Sequence, residues 1–159
     1  MNHLELLKQR FKTISLISYA FLFSVFLYGF IGLRLVLAND SNTTMGNAIL
    51  LRNIFLVVGM ICVVQSFFLK KLILKFPVTP VSSPVPAETL IGRLAFSTIV
   101  AQALCESTVI LGLISVIATR QFNDYFPFAV ISLIGILSHL PRLERWEDWM
   151  RTQLQNLLR

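Results

Sequence analysis

From Arg93 to Arg120 the chain reads RLAFSTIVAQALCESTVILGLISVIATR, and Glu106 is the only charged residue between the two arginines. As a helix rising 1.5 Å per residue, this stretch is long enough to cross the ~30 Å hydrocarbon core of a bilayer, with Glu106 roughly 20 Å from either arginine. A carboxylate near the bilayer centre costs at least about 2.5–3.5 kcal/mol to insert unless it is protonated or partnered. Composition supports the membrane reading. Of 159 residues 55% are hydrophobic and 14% charged, against about 25% charged in soluble domains, and the mean hydropathy is +0.73.

Apolar segments recur along the chain. A basic lead-in with Lys8, Arg10 and Lys12 precedes a span at residues 13–38, too long for the apolar part of a cleaved signal peptide and interrupted late by Arg34. Residues 39–46, NDSNTTMG, are turn formers and make a loop. A second span covers 47–69, followed by Lys70, Lys71 and Lys75. Residues 76–92 hold Pro77, Pro80, Pro84 and Pro86. Proline at that density excludes a continuous helix, so this stretch is expected to be an extended linker between two helical hairpins. The third span covers 94–118 and the fourth 125–141, joined by a tight QFND loop. In the tail, 143–159, Leu143, Trp146, Met150, Leu154 and Leu157 recur at helical spacing. That pattern describes an amphipathic helix, with Trp146 and Trp149 expected at the membrane surface. The expected fold is therefore all-α: four transmembrane helices in two hairpins plus an amphipathic C-terminal helix, as one membrane domain.

The net charge is +6 and the sequence pI about 9.8. Lys8, Arg10, Lys12, Lys70, Lys71, Lys75, Arg93, Arg142, Arg145, Arg151 and Arg159 fall on one side of this arrangement, and only Arg34, Arg52 and Arg120 on the other. The positive-inside rule then places both termini in the cytoplasm. No basic helix or aromatic-basic patch stands apart from the apolar segments, so nucleic acid is not an expected partner. The expected partners are the lipid bilayer and other membrane subunits, or further copies of the chain.

On a helical wheel Ser97, Ala101 and Cys105 lie four apart, a small-residue face that lets another helix approach closely. Thr98, Gln102 and Glu106 follow one position round, so Gln102 and Glu106 are neighbours on one stripe. The midpoints of the other spans fall near Ser24, Gly59 and Ser132. Ser24 and Ser132 are the hydroxyls expected at the depth of Glu106. With Gln102 they are the candidates for an ion-binding or helix-contact site. Arg34 and Arg52 are expected about 10 Å above the carboxyl.

The segment AQALCESTVILGLISVI resembles, locally, the carboxylate-bearing helix of the c-type proteolipid subunits of rotary ATP synthases. Those helices have a small-residue lead-in, a central Glu and an apolar run containing Gly. The resemblance implies that Glu106 carries a proton or cation. The preceding span, NAILLRNIFLVVGMICVVQSFFL, lacks the glycine-rich stripe of that family, and the linker is long and Pro-rich where the family has a short polar turn. The chain also resembles small four-span bacterial membrane proteins that share the central Glu and an aromatic-acidic tail after Pro-Arg. These have no assigned activity, and they point to a bacterial inner membrane.

Catalytic signatures are missing: there is no P-loop, GxSxG, HExxH or carboxylate pair. Cys62 and Cys105 have no CxxC spacing and read as small apolar residues, and no metal or cofactor is expected. His139 is expected at the membrane interface. The leading expectation is a non-enzymatic subunit of a multi-subunit or homo-oligomeric membrane complex. The alternative is a proteolipid-like, ion-translocating subunit using Glu106, and a small transporter comes third.

Overall fold

The computed structural model describes residues 3–38, 47–75 and 87–157. Five α-helices follow one another: α1 His3–Ala38, α2 Ala48–Lys75, α3 Ala87–Thr119, α4 Tyr125–Ser138 and α5 Leu143–Leu157, with a 3₁₀ turn at Phe122–Asp124 before α4. There is no strand among the described residues. The expected polar loop at 39–46 and the proline run to residue 86 lie outside the described residues.

Three helices, α1 to α3, are long and apolar enough to cross a membrane. Their lengths of 36, 28 and 33 residues correspond to about 54, 42 and 50 Å at 1.5 Å per residue. Each exceeds the ~30 Å apolar core of a bilayer. α4, with 14 residues, spans about 21 Å alone. It becomes a fourth candidate only with the 3₁₀ turn before it and α5 after it, and α4 and α5 meet at a bend of 51°.

Local chemistry sets the ends. α2 continues through Lys70 and Lys71 to Lys75, because lysine is a good helix former. The next residue precedes Pro77, a position biased away from helix. α3 opens at Ala87, with Glu88 in its first turn near the positive end of the helix dipole. This corrects the expected linker at 76–92: residues 87–92 already belong to α3, and Leu90 and Ile91 are buried. Proline forbids a helix interior but is tolerated just before a helix or in its first turn, so the helix starts where the last proline allows. Arg120 ends α3 in the left-handed region at φ 56°, donating its N–H to Val116 O at 2.8 Å. α4 ends at Ser138, short of the expected 141, where Pro141 closes off helical continuation.

α3 is the centre of the bundle and packs on α1, α2 and α4, while α1 and α2 barely touch and flank the α3–α4 pair. Antiparallel contacts run Gly59 to Thr108 and Ser66 to Cys105 between α2 and α3, and Gly112 to Phe128 and Gly135 to Cys105 between α3 and α4. α1 runs parallel to α3, with Ser18 against Gln102 and Gly32 against Leu113. The helices therefore alternate in direction, as two consecutive hairpins require.

Two kinds of packing hold the bundle. Along most of their length the helices meet through small residues. A Cβ on Gly59 would lie 2.7 Å from Thr108 Cγ2, one on Gly112 2.6 Å from Phe128 Cβ, and one on Gly135 2.6 Å from Cys105 Sγ. Such approaches are how helices associate where no hydrophobic effect drives them together. At one end the packing changes. Leu7 and Ile14 of α1, Leu90, Ile91 and Leu94 of α3, and Trp146 and Met150 of α5 form a cluster of large buried residues. Phe11 meets Trp146 edge to face at 5.7 Å. Outside, α1 and α2 present large apolar side chains to the surroundings, among them Leu16, Leu37 and Phe68, each about 70% exposed. An apolar exterior this extensive marks a surface built for an apolar environment or for partners.

Candidate functional site

Glu106 lies half-buried on α3, beside an outward stripe of Phe96, Ala103, Ile110 and Ile114. One hydroxyl approaches it: Tyr28 of α1 donates to Glu106 Oε1 at 3.4 Å, long for an O–H···O bond, which usually falls between 2.5 and 3.0 Å. No cation pairs with Glu106 among the described residues. Ser24, expected at this depth, is instead tied to its own helix, donating to Phe21 O at 2.8 Å. The swap has a geometric reason. Helical side chains lean toward the N-terminus of their helix. The long Tyr28 side chain therefore delivers its hydroxyl to a level near that of Ser24, while the short serine reaches only its own backbone.

Gln102, one turn earlier, is fully buried. It contacts α1 and makes no hydrogen bond to Glu106: Ser18 Oγ lies 2.9 Å from Gln102 Oε1 and 2.9 Å from Ile14 O. A hydroxyl has one proton, so one of these contacts needs a donor from elsewhere. Gln102 Nε2 is buried without a partner. Turning the amide over satisfies both conditions: Ser18 donates to Ile14 O and Gln102 Nε2 donates to Ser18.

Ser132 is completely buried on α4 with no partner for its Oγ, and Ser115 Oγ on α3 is in the same position. The structure therefore does not assemble Glu106, Gln102, Ser24 and Ser132 into one site. It yields two separate α1–α3 contacts, Ser18–Gln102 and Tyr28–Glu106, plus a buried serine in the α4 seam. Ser97, Ala101 and Cys105 are all fully buried.

A second buried polar group lies between α2, α3 and α4. His139, expected at the interface, is only 2% exposed, with Nε2 2.8 Å from Ser66 Oγ. Ser66 Oγ is 2.6 Å from Val63 O, and Cys105 Sγ donates toward Ser66 Oγ at 3.5 Å. Ser66 has one hydroxyl proton for these two contacts: given to Val63 O, it leaves His139 to donate from Nε2; given to His139, it makes Nε2 the acceptor. Phe67 packs on the imidazole with ring centroids 4.5 Å apart.

Arg52 of α2 reaches the turn before α4 and meets Asp124 at 2.9 Å. Arg34 lies over the Phe30 ring, 5.2 Å from its centroid. Neither cation serves Glu106.

The tail, expected as a helix on the membrane surface, packs part of its apolar face on the bundle. Trp146 is 4% exposed, inside the cluster shared by α1 and α3, and Trp149 is half-buried against the same cluster. The bend after α4 turns the apolar face of α5 onto protein.

Among the described residues no three His, Cys, Asp or Glu side chains come together in a way that would hold a metal ion. No family model, curated protein or solved structure matches the chain.

Proposed function

We propose that the chain is an integral membrane protein with both termini cytoplasmic, acting as a non-enzymatic subunit of a homo-oligomeric or multi-subunit membrane assembly. The observation that carries this reading is Glu106: half-buried, at mid-length in the central helix, held by one long hydrogen bond and opening toward the outer face of α3. A carboxyl in that position is satisfied by a polar group on another helix. Ala103 and Ser107, which flank it on the outward stripe, leave room for that helix. Ser107 Oγ already donates to Ala103 O at 3.0 Å, so it adds no demand of its own.

The test is the mass of the particle purified in a mild detergent, for the native chain and for Glu106→Ala and Glu106→Gln. An interhelical hydrogen bond inside a membrane contributes about 0.6–2 kcal/mol, so Glu106→Ala shifts the assembly equilibrium roughly 3- to 30-fold toward smaller particles, and Glu106→Gln less. Unchanged assembly, stability and activity in Glu106→Ala would sink this reading.

Ion translocation through Glu106 is the second reading, favoured by the neighbouring Tyr28 hydroxyl and by the half-open position of the carboxyl. It requires that a hydrophobic carbodiimide modify Glu106 in the folded protein and that raised pH or the coupling ion protect it. No modification of the folded protein excludes it.

A further inference from the structure

At the lysine-rich end of α2, a cleft of about 160 Å³ is lined by Lys70 and Leu74 of α2, Leu94 of α3, Ser138 and Leu140 at the end of α4, Arg142 in the bend, and Arg145, Trp146 and Trp149 of α5. Its three charged lining residues are all cations, contributed by three separate segments. None of them forms an ion pair among the described residues. Glu144, Glu147 and Asp148, also on α5, are not part of the lining. Lys70 and Arg145 lie near enough for their like charges to act on each other. Bringing them together costs free energy that a bound anion would offset. The cleft also opens beside the first turn of α5, the end of a helix that favours negative charge.

We propose that this cleft binds the phosphate-bearing headgroup of an acidic phospholipid. Its volume equals about five water molecules at ~30 Å³ each, enough for a phosphate ester. A basic pocket between helices at the lysine-rich end of a bundle is a recurring way of holding such headgroups. Leu74, Leu94 and Leu140 give the cleft an apolar side for the glycerol and upper acyl carbons. Trp149, half-buried at its edge, is a residue type that settles at headgroup level. A free inorganic phosphate would share the cations but has no use for the leucines and indoles.

The test uses the full chain in mild detergent, titrated with dioleoyl phosphatidylglycerol or dioleoyl phosphatidylcholine and followed by native mass spectrometry. Phosphatidylglycerol is expected to remain bound and phosphatidylcholine to be lost. Lys70→Gln, Arg142→Gln and Arg145→Gln should each weaken phosphatidylglycerol binding roughly five-fold. A control triple variant, Lys8→Gln with Arg10→Gln and Lys12→Gln, removes three charges from the basic lead-in, against one in each cleft variant, and should leave binding unchanged. Arg142 and Arg145 are exposed, so their variants decide the matter if Lys70→Gln does not fold. Equal retention of the two lipids, or equal loss in the control, overturns the proposal. So does inorganic phosphate at millimolar concentration binding alone and displacing the lipid, which would make this a free-anion site.

Discussion

At the scale of single residues, the glycines separate close packing from open space within one bundle. A methyl group on Gly112 has to displace the Phe128 side chain at its Cβ, where no rotamer change relieves the clash. Gly112→Ala should therefore cost about 1–3 kcal/mol through overpacking. Gly92 lies on the same helix, and a methyl group there would meet nothing within 4 Å, so Gly92→Ala should gain about 0.5–1 kcal/mol from helix propensity alone. Thermal unfolding in detergent, followed by helical circular dichroism, checks both; melting temperatures moving in the same direction would contradict this account of α3–α4 packing. At this scale the sequence was partly legible. Ser97, Ala101 and Cys105 could be assigned to a packing face because four-residue spacing fixes a side of a helix. Tyr28 could not be found by matching span midpoints, since that compares Cα levels and ignores how far a tyrosine leans. Ser66 and His139 sit at the ends of spans far apart in sequence, and nothing local signals that the two meet.

At the scale of elements, α5 is where the sequence pattern leaves most open. Its amphipathic pattern shows that one face is apolar but not whether lipid or protein covers it. The 51° bend between α4 and α5 settles that, placing Trp146 and Met150 against α1 and α3. Trp146→Ala should cost about 3–5 kcal/mol, the range for removing a large buried aromatic. It should also release α5 before the rest of the bundle, seen as faster amide exchange over residues 143–155 while α3 stays protected. If that exchange is unchanged, Trp146 does not anchor α5. The ends of α2 and α4 were readable to within a few residues because prolines set them. The start of α3 was misplaced because a proline-rich stretch looks like linker up to its last residue, although a helix can begin directly after a proline.

At the scale of the whole molecule, the alternation of helix direction and the one-sided placement of Lys and Arg agree on an arrangement with both ends of the chain together. Reporter domains fused at the N-terminus and at the C-terminus should therefore report the same, cytoplasmic, side; opposite sides would break the hairpin topology. The all-α architecture was legible because each apolar segment is long and bounded by charge or proline. Which helices touch was not, because periodicity gives each helix a buried face without naming its neighbour. α3 takes the central position through its long run of small and hydroxyl-bearing positions, Ser97, Thr98, Ala101, Cys105, Thr108 and Gly112, all buried.

The cluster joining Leu7, Leu90 and Trp146 also sets an order of events in time. It draws on α1, α3 and α5, so it stays incomplete until α5 has left the ribosome. Until then, the parts of α1 and α3 that α5 will cover are open to any apolar surface nearby. α5 is in this sense a closing clasp, and a chain cut short in the bend before it would keep the three long apolar helices α1 to α3 while still exposing an adhesive end.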